Sequence, residues 1–411
     1  MEQMSEVVVV GGGAAGAAAV GGLRAQGWGG AITVVTGEPG PPYNRTAVSK
    51  GLLKGQFELD AVALPEARAE GVVWLPADPA IALDAVARRL TLASGKMLSW
   101  DALLIATGAA PRRWAGPAAP TVHERLLTLH TAAEAHRLRR PAVLTASAER
   151  PRRIAVLGGG IVALETAGAL RAAGAEVTVV SRTELPMGHH VGPTVGAWIV
   201  EQHRRHARLV TGATLARAEP ADGGLRLLLT DGQWLDVDLA VLAHGTTPAT
   251  GWLASSGLLA ADGTLTVDAR CRVQGAPGIY AAGDAACILG PDGRPGPRGH
   301  WTVATDQGRH AARTVLLDLG ATTDEPGPFE TLPTFTSEAY GTRLTVIGDP
   351  GAATTETWLD GDPATDAFTV GALNARGELL GVVGVGPALA ALRRKDAVRR
   401  RDRLDPPATS P

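Results

Sequence analysis

The stretch VVVVGGGAAG at residues 7–16 runs four β-branched residues into a glycine-rich turn, and the arrangement returns as IAVLGGGIVA at residues 154–163. Helical patterns follow both turns, at 14–26 and 161–173. A strand, a glycine turn and a helix in this order are typical of dinucleotide-binding units, because glycines let the backbone approach a pyrophosphate. Since one turn binds one dinucleotide, the chain is predicted to bind two. A flavin and a nicotinamide are the simplest pair, and they indicate electron transfer.

The residues that follow each unit indicate which nucleotide it holds. Glu38 comes after the run 32–35, about twenty residues beyond the first glycines, where a carboxylate accepts hydrogen bonds from ribose hydroxyls. The second unit has Ser181 and Arg182 after the run 176–180. A hydroxyl and a guanidinium suit a phosphate, so the second site favours NADPH over NADH. The alternative is that Arg182 is merely exposed and that specificity is set elsewhere.

Short apolar runs alternate with helical patterns along the chain, which predicts βαβ units and parallel sheet. The runs lie at 7–10, 32–35, 102–106, 154–157, 176–180 and 239–243. Alternating runs between 343 and 386 predict antiparallel strands, followed by a helix from Pro387. Segments 138–152 and 216–224 are rich in Arg, Pro, Ala or Gly and predict linkers or surface turns.

Composition excludes several classes of function. A chain of 411 residues predicts more than one domain, and a formal net charge of −2 gives no global case for binding nucleic acid. No apolar stretch is long enough for a membrane span, and the acidic start at residues 1–6 is unlike a signal peptide. Cys271 and Cys287 form neither a CxxC pair nor a metal cluster. We therefore expect a cytoplasmic protein without a metal site.

Three further motifs make a family resemblance specific. PYNRTAVSK occupies residues 42–50, LLIATG occupies 103–108 and IYAAGD occupies 279–284. Together with the glycine turns they resemble the FAD-dependent NAD(P)H:ferredoxin reductases that serve P450s and Rieske-type oxygenases. The likeness covers roughly residues 6 to 400 and implies an oxidoreductase of the EC 1.18.1 type.

The resemblance also implies the architecture. It predicts an α/β chain of the glutathione-reductase-like class, with two Rossmann-like dinucleotide-binding domains and a small α+β C-terminal domain. The FAD-binding domain would be discontinuous, at 1–112 and 246–326, with the NAD(P)H-binding domain at 113–245. The C-terminal domain would span 327–405.

Carried over by position, the resemblance assigns cofactor-binding residues. Lys50 would lie near the flavin N5, Asp284 would hydrogen-bond the ribityl chain, and Trp301 would begin a helix whose N-terminus faces the flavin. The residues expected to bind FAD are Gly11, Gly13, Ala14, Ala15, Gly16, Glu38, Arg45, Lys50, Ala106, Thr107, Gly108, Gly283, Asp284, Trp301 and Gln307. Those expected to bind NAD(P)H are Gly158, Gly160, Ile161, Val162, Ser181, Arg182 and Gly245.

Two residues are expected to be catalytic by the same resemblance. Glu165 would lie near the nicotinamide and pair with Lys50. The alternative for Glu165 is an acid that the helix dipole favours near an N-terminus. Thr336, Glu338 and Gly299 depart from the family's usual residues, near the expected flavin edge or partner surface.

The absence of a cysteine from residues 36–60 bears on the electron acceptor. Disulfide reductases and NADH peroxidases carry reactive cysteines in that region, so an external acceptor is expected. The resemblance predicts hydride transfer from NAD(P)H to the flavin, then single electrons to a [2Fe–2S] ferredoxin that serves a P450 or another oxygenase. Two alternatives stay open: direct reduction of a quinone or O2, and a redox-sensing flavin-binding module.

Two basic segments were candidates for other roles. The tail from Arg393 to Arg401 would suit an acidic ferredoxin, although such a run is more often a solvated helix face. His203 and His206 lie i, i+3 beside Arg204 and Arg205, which favours a solvated face over a metal site. For the oligomeric state, the resemblance implies that the protein is a monomer or a weak homodimer.

Overall fold

The computed structural model describes residues 5–116, 119–140, 150–289, 299–387 and 389–404, which fold as two compact units. The first unit comprises residues 1–45, 59–110 and 246–331, and the second comprises 46–58, 111–245 and 332–411, as far as they are described. Parts of three predictions lie outside the described residues. These are the start at 1–4, the linker segment 141–149 and the domain end at 405.

A five-stranded parallel sheet forms the centre of the first unit, as the apolar runs predicted. Its strands lie in the order Ile279–Ala281, Ala102–Ile105, Glu6–Val10, Ala31–Val35 and Val72–Leu75. Alternate valines of the middle strand are buried on opposite faces, so the run is apolar throughout. Val7 and Val9 pack with the helices Ala14–Ala25 and Trp301–Asp318.

The other face of this sheet is covered by antiparallel structure. Val8 and Val10 pack with Leu83, Leu90 and Leu98. These leucines belong to a three-stranded sheet of Ala80–Asp84, Arg89–Leu92 and Met97–Ser99. The glycine turn that follows Val10 is therefore held at the end of a strand that is buried on both faces.

A second five-stranded parallel sheet forms part of the second unit. Its order is Arg208–Val210, Glu176–Val180, Arg153–Leu157, Leu239–Leu242 and Leu126–Thr128. The helix Ile161–Ala172 follows the second glycine turn, and the helix Gly188–His206 is interrupted at Gly192. The predictions of parallel sheet and of a helix after each glycine turn are confirmed.

The prediction of a surface turn at 216–224 is wrong for most of its length. The structure forms a three-stranded antiparallel sheet of Leu215–Ala221, Gly224–Leu229 and Trp234–Val237. Only Asp222 and Gly223 form a turn, and Gly223 has φ +71°, a left-handed conformation that glycine adopts without strain. Buried Ala218, packed in the core below the hairpin, explains why this polar stretch is a strand.

The C-terminal part of the second unit is an antiparallel sheet, as predicted. Its order is Thr334–Ala339, Thr342–Gly348, Leu379–Val385, Ala367–Leu373 and Thr355–Asp362. Two short helices follow, Leu389–Leu392 and Lys395–Arg400.

The remaining elements are short. The helical turns are Arg45–Ala47, Val48–Leu52, Leu59–Val62, Pro65–Arg68, Pro120–His123, Ala132–Leu138, Gly251–Leu253, Gly283–Ala285, Pro350–Ala352 and Pro363–Thr365. The strand pairs are Ala109–Pro111 with Thr246–Pro248, and Leu265–Val267 with Ala286–Ile288. No helix in the described part of the chain is both long enough and apolar enough to cross a membrane.

Candidate functional site

The first glycine turn forms a cradle at the N-terminus of the helix Ala14–Ala25. Gly11 has φ +112°, and a Cβ there would overlap the carbonyl oxygen of Ala106. A Cβ on Gly16 would overlap the Gly11 carbonyl oxygen, so the turn packs tightly against its neighbours. Open space lies around Gly13, and no side chain caps the helix there. The N–H groups of the first helical turn are thus presented to a ligand, which suits a pyrophosphate.

Glu38 lies beyond the strand next to this turn and is held by two side chains. Its carboxylate accepts a hydrogen bond from the Tyr43 hydroxyl at 2.7 Å and from Arg45 Nη2 at 2.5 Å. Side chains of Glu38 and Arg45 are each about one-third exposed. The structure therefore brings together the two predicted residues and adds Tyr43, which sequence reasoning did not single out.

The neighbouring strand contributes a buried polar group without a partner. The Ala106 N–H donates to the Val10 carbonyl oxygen at 2.8 Å, which fixes the segment Ala106–Gly108 beside the turn. The Thr107 hydroxyl is buried and has no hydrogen-bond partner among the described residues. Because buried hydroxyls are normally hydrogen-bonded, this orphan favours a bound ligand at the first turn.

The helix Trp301–Asp318 carries two of the predicted FAD-binding residues of the first unit, Trp301 and Gln307. Gln307 accepts a hydrogen bond through Oε1 from the Gly283 N–H at 2.9 Å, which fixes the loop that carries Asp284. Asp284 accepts from the Gly299 N–H at 2.8 Å. The side chain of the N-cap residue His300 does not cap this helix, and Trp301 at its start is half-buried. The structure thus places the predicted residues of the later motifs within one fold unit with the first turn.

The second glycine turn repeats the construction of the first. Gly158 has φ +150°, and a Cβ there would overlap the Ala243 carbonyl oxygen. Open space surrounds Gly160, which begins the helix Ile161–Ala172 without a side-chain cap. Val162 in the first helical turn is partly exposed. This cradle therefore fits a second pyrophosphate by the same geometry.

Ser181 and Arg182 occupy different environments after the strand Glu176–Val180. Ser181 is buried, and its hydroxyl donates to the Thr183 carbonyl oxygen at 2.8 Å. Arg182 is exposed, and no carboxylate in the described part of the chain pairs with it. Burial, together with the nearby Arg182 guanidinium, lowers the pKa of His189. Arg182 therefore leaves its guanidinium exposed on this loop.

Gly245 lies where the chain leaves the second parallel sheet. It has φ +101°, and its carbonyl oxygen accepts from the Arg112 N–H at 3.0 Å. Gly245 is exposed and lies two residues after Ala243, whose carbonyl oxygen packs against Gly158. Gly245, expected to bind NAD(P)H, thus lies two residues beyond the carbonyl group that packs against the second glycine turn.

Lys50 and Glu165 form an ion pair inside the second unit. Lys50 Nζ lies 2.8 Å from Glu165 Oε1, and the Glu165 side chain is only 2% exposed, whereas that of Lys50 is 28% exposed. Lys50 interrupts the helical turn Val48–Leu52 with φ −114° and ψ −110°. The pairing expected from the motifs is present, and the Glu165 carboxylate is buried.

Two further hydroxyls and a second ion pair surround this pair. Ser49 Oγ and Ser337 Oγ both donate to Glu165, at 2.5 Å and 2.8 Å. Lys54 Nζ pairs with Glu338 at 2.5 Å. Sequence reasoning did not single out the serines, because Ser49 lies 116 positions and Ser337 lies 172 positions from Glu165.

The two cysteines are buried in the first unit, where the Cys271 thiol donates to the Gln307 carbonyl oxygen at 4.0 Å. Cys271 and Cys287 are both buried and unpaired. Burial raises the pKa of the Cys271 thiol to about 12. Since the thiolate is the reactive form, this thiol is unsuited to redox chemistry. Among the described residues no group of histidines, cysteines and carboxylates is arranged to hold a metal ion.

Residues 5–308 match the family described as pyridine nucleotide-disulphide oxidoreductase. The chain belongs to this family. Membership makes it an oxidoreductase that works with FAD and a pyridine nucleotide, and both glycine cradles have geometry that fits such groups. The α/β fold class expected from the sequence is confirmed.

Within this family the chain is similar to ferredoxin reductases of oxygenase systems, which confirms the resemblance. It is 32% identical to the ferredoxin–NAD(+) reductase component of the p-cumate 2,3-dioxygenase system of Pseudomonas putida, over 98% of this chain and 96% of the relative. It is 33% identical to the ferredoxin–NAD(+) reductase component of the anthranilate 1,2-dioxygenase system of Burkholderia cepacia, over 90% and 89%.

Two solved structures agree with these relatives. The ferredoxin reductase for the CYP199A2 system from Rhodopseudomonas palustris matches with a TM-score of 0.84 at 26% identity, over 95% of this chain and 93% of that chain. Putidaredoxin reductase, in its covalent complex with putidaredoxin, matches with a TM-score of 0.85 at 25% identity, over 97% and 93%.

Proposed function

We propose that this protein is an FAD-dependent reductase that takes electrons from NADPH and passes them singly to a [2Fe–2S] ferredoxin serving an oxygenase. The observation that carries the proposal is the pair of glycine cradles, each with an uncapped helix N-terminus and open space in front of it. The family relatives that are named for ferredoxin reduction support the choice of acceptor.

We assign the first cradle to FAD. The N–H groups after Gly13 would bind its pyrophosphate, Glu38 would accept from ribose hydroxyls, and the Thr107 hydroxyl would gain the partner it lacks. When bound, FAD accepts two electrons from a nicotinamide and releases them one at a time. The N-terminus of the helix that begins at Trp301 would stabilise negative charge on a ligand. The FAD, NAD(P)H and C-terminal domain boundaries inferred from the resemblance belong to the same proposal.

We assign the second cradle to the pyridine nucleotide, with Arg182 as the residue that favours NADPH. The Ser181 hydroxyl, expected from the sequence to donate to the phosphate, donates instead to the Thr183 carbonyl oxygen and is not given that role. Arg182 is exposed and unpaired with any described carboxylate, and a guanidinium binds a phosphate through charge-assisted hydrogen bonds. The relatives are named for NAD(+), so this preference is a property that we propose for this chain.

We assign roles in the reaction to Lys50 and Glu165. The Lys50 ammonium has three N–H groups, one of which is directed to Glu165, and its side chain is partly exposed. It would donate a remaining N–H to the flavin, while Glu165 holds it in place. Because both cysteines are buried, neither is available to accept electrons, which supports electron transfer to an external protein.

An acidic ferredoxin suits the charge of the C-terminal segment. Arg393, Lys395 and Arg399 are exposed there, although Arg399 lies 3.8 Å from Asp396. A basic surface speeds the encounter with an acidic protein through long-range attraction. The reaction is assigned to the cytoplasm, a reducing compartment in which unpaired cysteines persist.

The function is tested by NADPH-driven reduction of cytochrome c by the purified FAD protein, with and without a [2Fe–2S] ferredoxin. We expect the rate to depend strongly on the ferredoxin and to fall with ionic strength, because docking is electrostatic. A rate indifferent to ferredoxin, with rapid oxidation by a quinone or O2, would replace the proposal with direct reduction of a small molecule. Negligible NADPH oxidation with every acceptor would favour a redox-sensing module.

A further inference from the structure

Tyr43 touches both members of the ion pair that lies beside the first glycine cradle. Its hydroxyl donates to Glu38 Oε2 at 2.7 Å, and the Arg45 guanidinium lies over its ring, 5.3 Å from the ring centroid. Arg45 Nη2 donates to the other oxygen, Glu38 Oε1, at 2.5 Å. One tyrosine therefore contacts the carboxylate through its hydroxyl and the cation through its ring face.

Tyr43 is itself firmly held in the first unit. It is buried, and its backbone forms an antiparallel bridge with Ala63. Beside this bridge, the Leu64 N–H donates to the Pro42 carbonyl oxygen at 2.8 Å. Because the phenol ring is already ordered by its burial, it loses little further freedom when it orders a neighbouring side chain.

The backbone of Glu38 is fixed next to the first cradle. The Thr36 hydroxyl donates to the Glu38 carbonyl oxygen at 3.0 Å. Thr36 also packs against the cradle, since a Cβ built on Gly12 would lie 2.8 Å from Thr36 Cγ2. The Glu38 side chain extends from this anchor and is 35% exposed, so its contacts with Tyr43 and Arg45 decide where the carboxylate stands.

The carboxylate of Glu38 keeps capacity for a ligand. A carboxylate offers about four acceptor positions, about two on each oxygen. Tyr43 uses one on Oε2 and Arg45 uses one on Oε1, so each oxygen retains about one position that no described residue uses. Two acceptors side by side match the two neighbouring hydroxyls of a ribose, and an acidic residue after the second strand of such a unit binds the ribose 2′-hydroxyl.

We infer that Tyr43 is a positioning residue that, together with Arg45, holds the Glu38 carboxylate ready for the adenosine ribose of FAD. A freely rotating glutamate would lose side-chain entropy each time a ribose binds, whereas a held carboxylate has lost it already. This inference rests on the proposed function, which assigns the first cradle to FAD, and deepens it by naming the residue that prepares the ribose contact.

The test measures how strongly 5′-ADP and 2′-deoxy-5′-ADP displace FAD from the full-length apoprotein, followed by flavin fluorescence. The two competitors differ only in the ribose 2′-hydroxyl. The ratio of their inhibition constants therefore reports the contact of that hydroxyl and cancels other effects of a substitution on the cradle. Because FAD is the displaced ligand, the ratio reports the first cradle. Y43F is compared with the wild-type protein and with Y280F.

Y280F is a matched control, because Tyr280 belongs to a similar arrangement in the same unit. Its hydroxyl donates to Asp318 Oδ2 at 2.8 Å, and Arg272 donates to both Asp318 oxygens at 2.7 Å. The helix Trp301–Asp318 packs against Ala15 of the first cradle at Gly308. Asp318 lies ten residues further on, which places it about 15 Å along the helix from the cradle.

We expect 2′-deoxy-5′-ADP to bind the wild-type apoprotein about tenfold more weakly than 5′-ADP, the effect of one hydrogen bond to a charged group. In Y43F the ratio should fall to about threefold or less, because the carboxylate is no longer held, and FAD itself should bind more weakly. Y280F should keep the wild-type ratio. R45M, which removes the other donor to Glu38, should lower the ratio as Y43F does.

A wild-type ratio in Y43F would contradict the inference, as would a wild-type protein that does not distinguish the two competitors. A larger ratio in Y43F would also contradict it, since the Tyr43 hydroxyl would then compete with the ribose for Glu38. So would equal losses in Y43F and Y280F. If Y43F does not fold, R45M decides, because an unchanged ratio there would contradict a held carboxylate. A wild-type apoprotein that binds no FAD would contradict the proposed function itself.

Discussion

Ser181 and Arg182, which the sequence assigns together to a phosphate, differ in their surroundings in the structure. Sequence reasoning named Ser181 and Arg182 together, because both residue types bind phosphates. The structure turns the Ser181 hydroxyl inward to Thr183 and leaves the guanidinium outside. Burial of a serine after a strand depends on the packing of Gly159 against it, which a sequence pattern does not reveal.

Replacing Arg182 by alanine should lower kcat/KM for NADPH by about tenfold or more, because charge-assisted hydrogen bonds to a phosphate are lost. The value for NADH should change by less than about twofold, since NADH carries no phosphate at that position. Steady-state kinetics with both nucleotides measures the change. R204A is the matched control, an exposed arginine of the same unit, and should leave both values unaltered. Equal losses with NADPH and NADH would remove Arg182 from nucleotide selection.

At the scale of elements, the end of the helix Gly188–His206 departs from its predicted environment. The sequence favoured a solvated face because arginines flank His203. The structure buries His203 to 1% exposure and hydrogen-bonds its Nδ1 to the Tyr340 hydroxyl at 2.6 Å. Tyr340 lies in the turn between two strands of the antiparallel sheet, with φ +49°. Local periodicity does not report such a contact, because the partner is 137 positions away.

Burial lowers the pKa of His203 to about 4 from an unfolded value of 6.5. Below pH 6.5 the unfolded chain takes up a proton that the folded chain refuses, so stability falls as the pH drops from about 6.5 towards about 4. The loss should reach about 3 kcal/mol at the lower pH. Denaturant unfolding at several pH values measures it, with H203Q as the comparison. If H203Q shows the same pH dependence as the wild-type protein, His203 is not the group responsible.

The glycine turns were predictable, whereas the support around Glu165 was not. Gly11 and Gly158 can be predicted from the sequence, because the backbone at each lies too close to neighbouring backbone for any side chain. Lys50 and Glu165 were paired through motifs alone. Ser49 and Ser337 carry common hydroxyls without a characteristic spacing, and only the folded sheet brings Ser337 to the helix Ile161–Ala172.

At the scale of the whole molecule, we assign FAD to the first glycine cradle and the pyridine nucleotide to the second. Gly13 and Gly160 occupy equivalent N-cap positions, both with negative φ and with open space where a Cβ would lie. Aspartate is a favoured N-cap residue, so G13D and G160D should fold. In each variant a carboxylate would stand where we place a pyrophosphate, and repulsion between the two anions should exclude the dinucleotide.

The most direct measurement is the flavin absorbance of purified G13D and G160D, followed by anaerobic addition of NADPH and then of dithionite. We predict that G13D folds without FAD. We predict that G160D retains FAD, which NADPH reduces at least about a hundredfold more slowly than in the wild-type protein and which dithionite still reduces fully. Retention of FAD by G13D, or reduction of G160D by NADPH at the wild-type rate, would contradict the assignment of the two cradles.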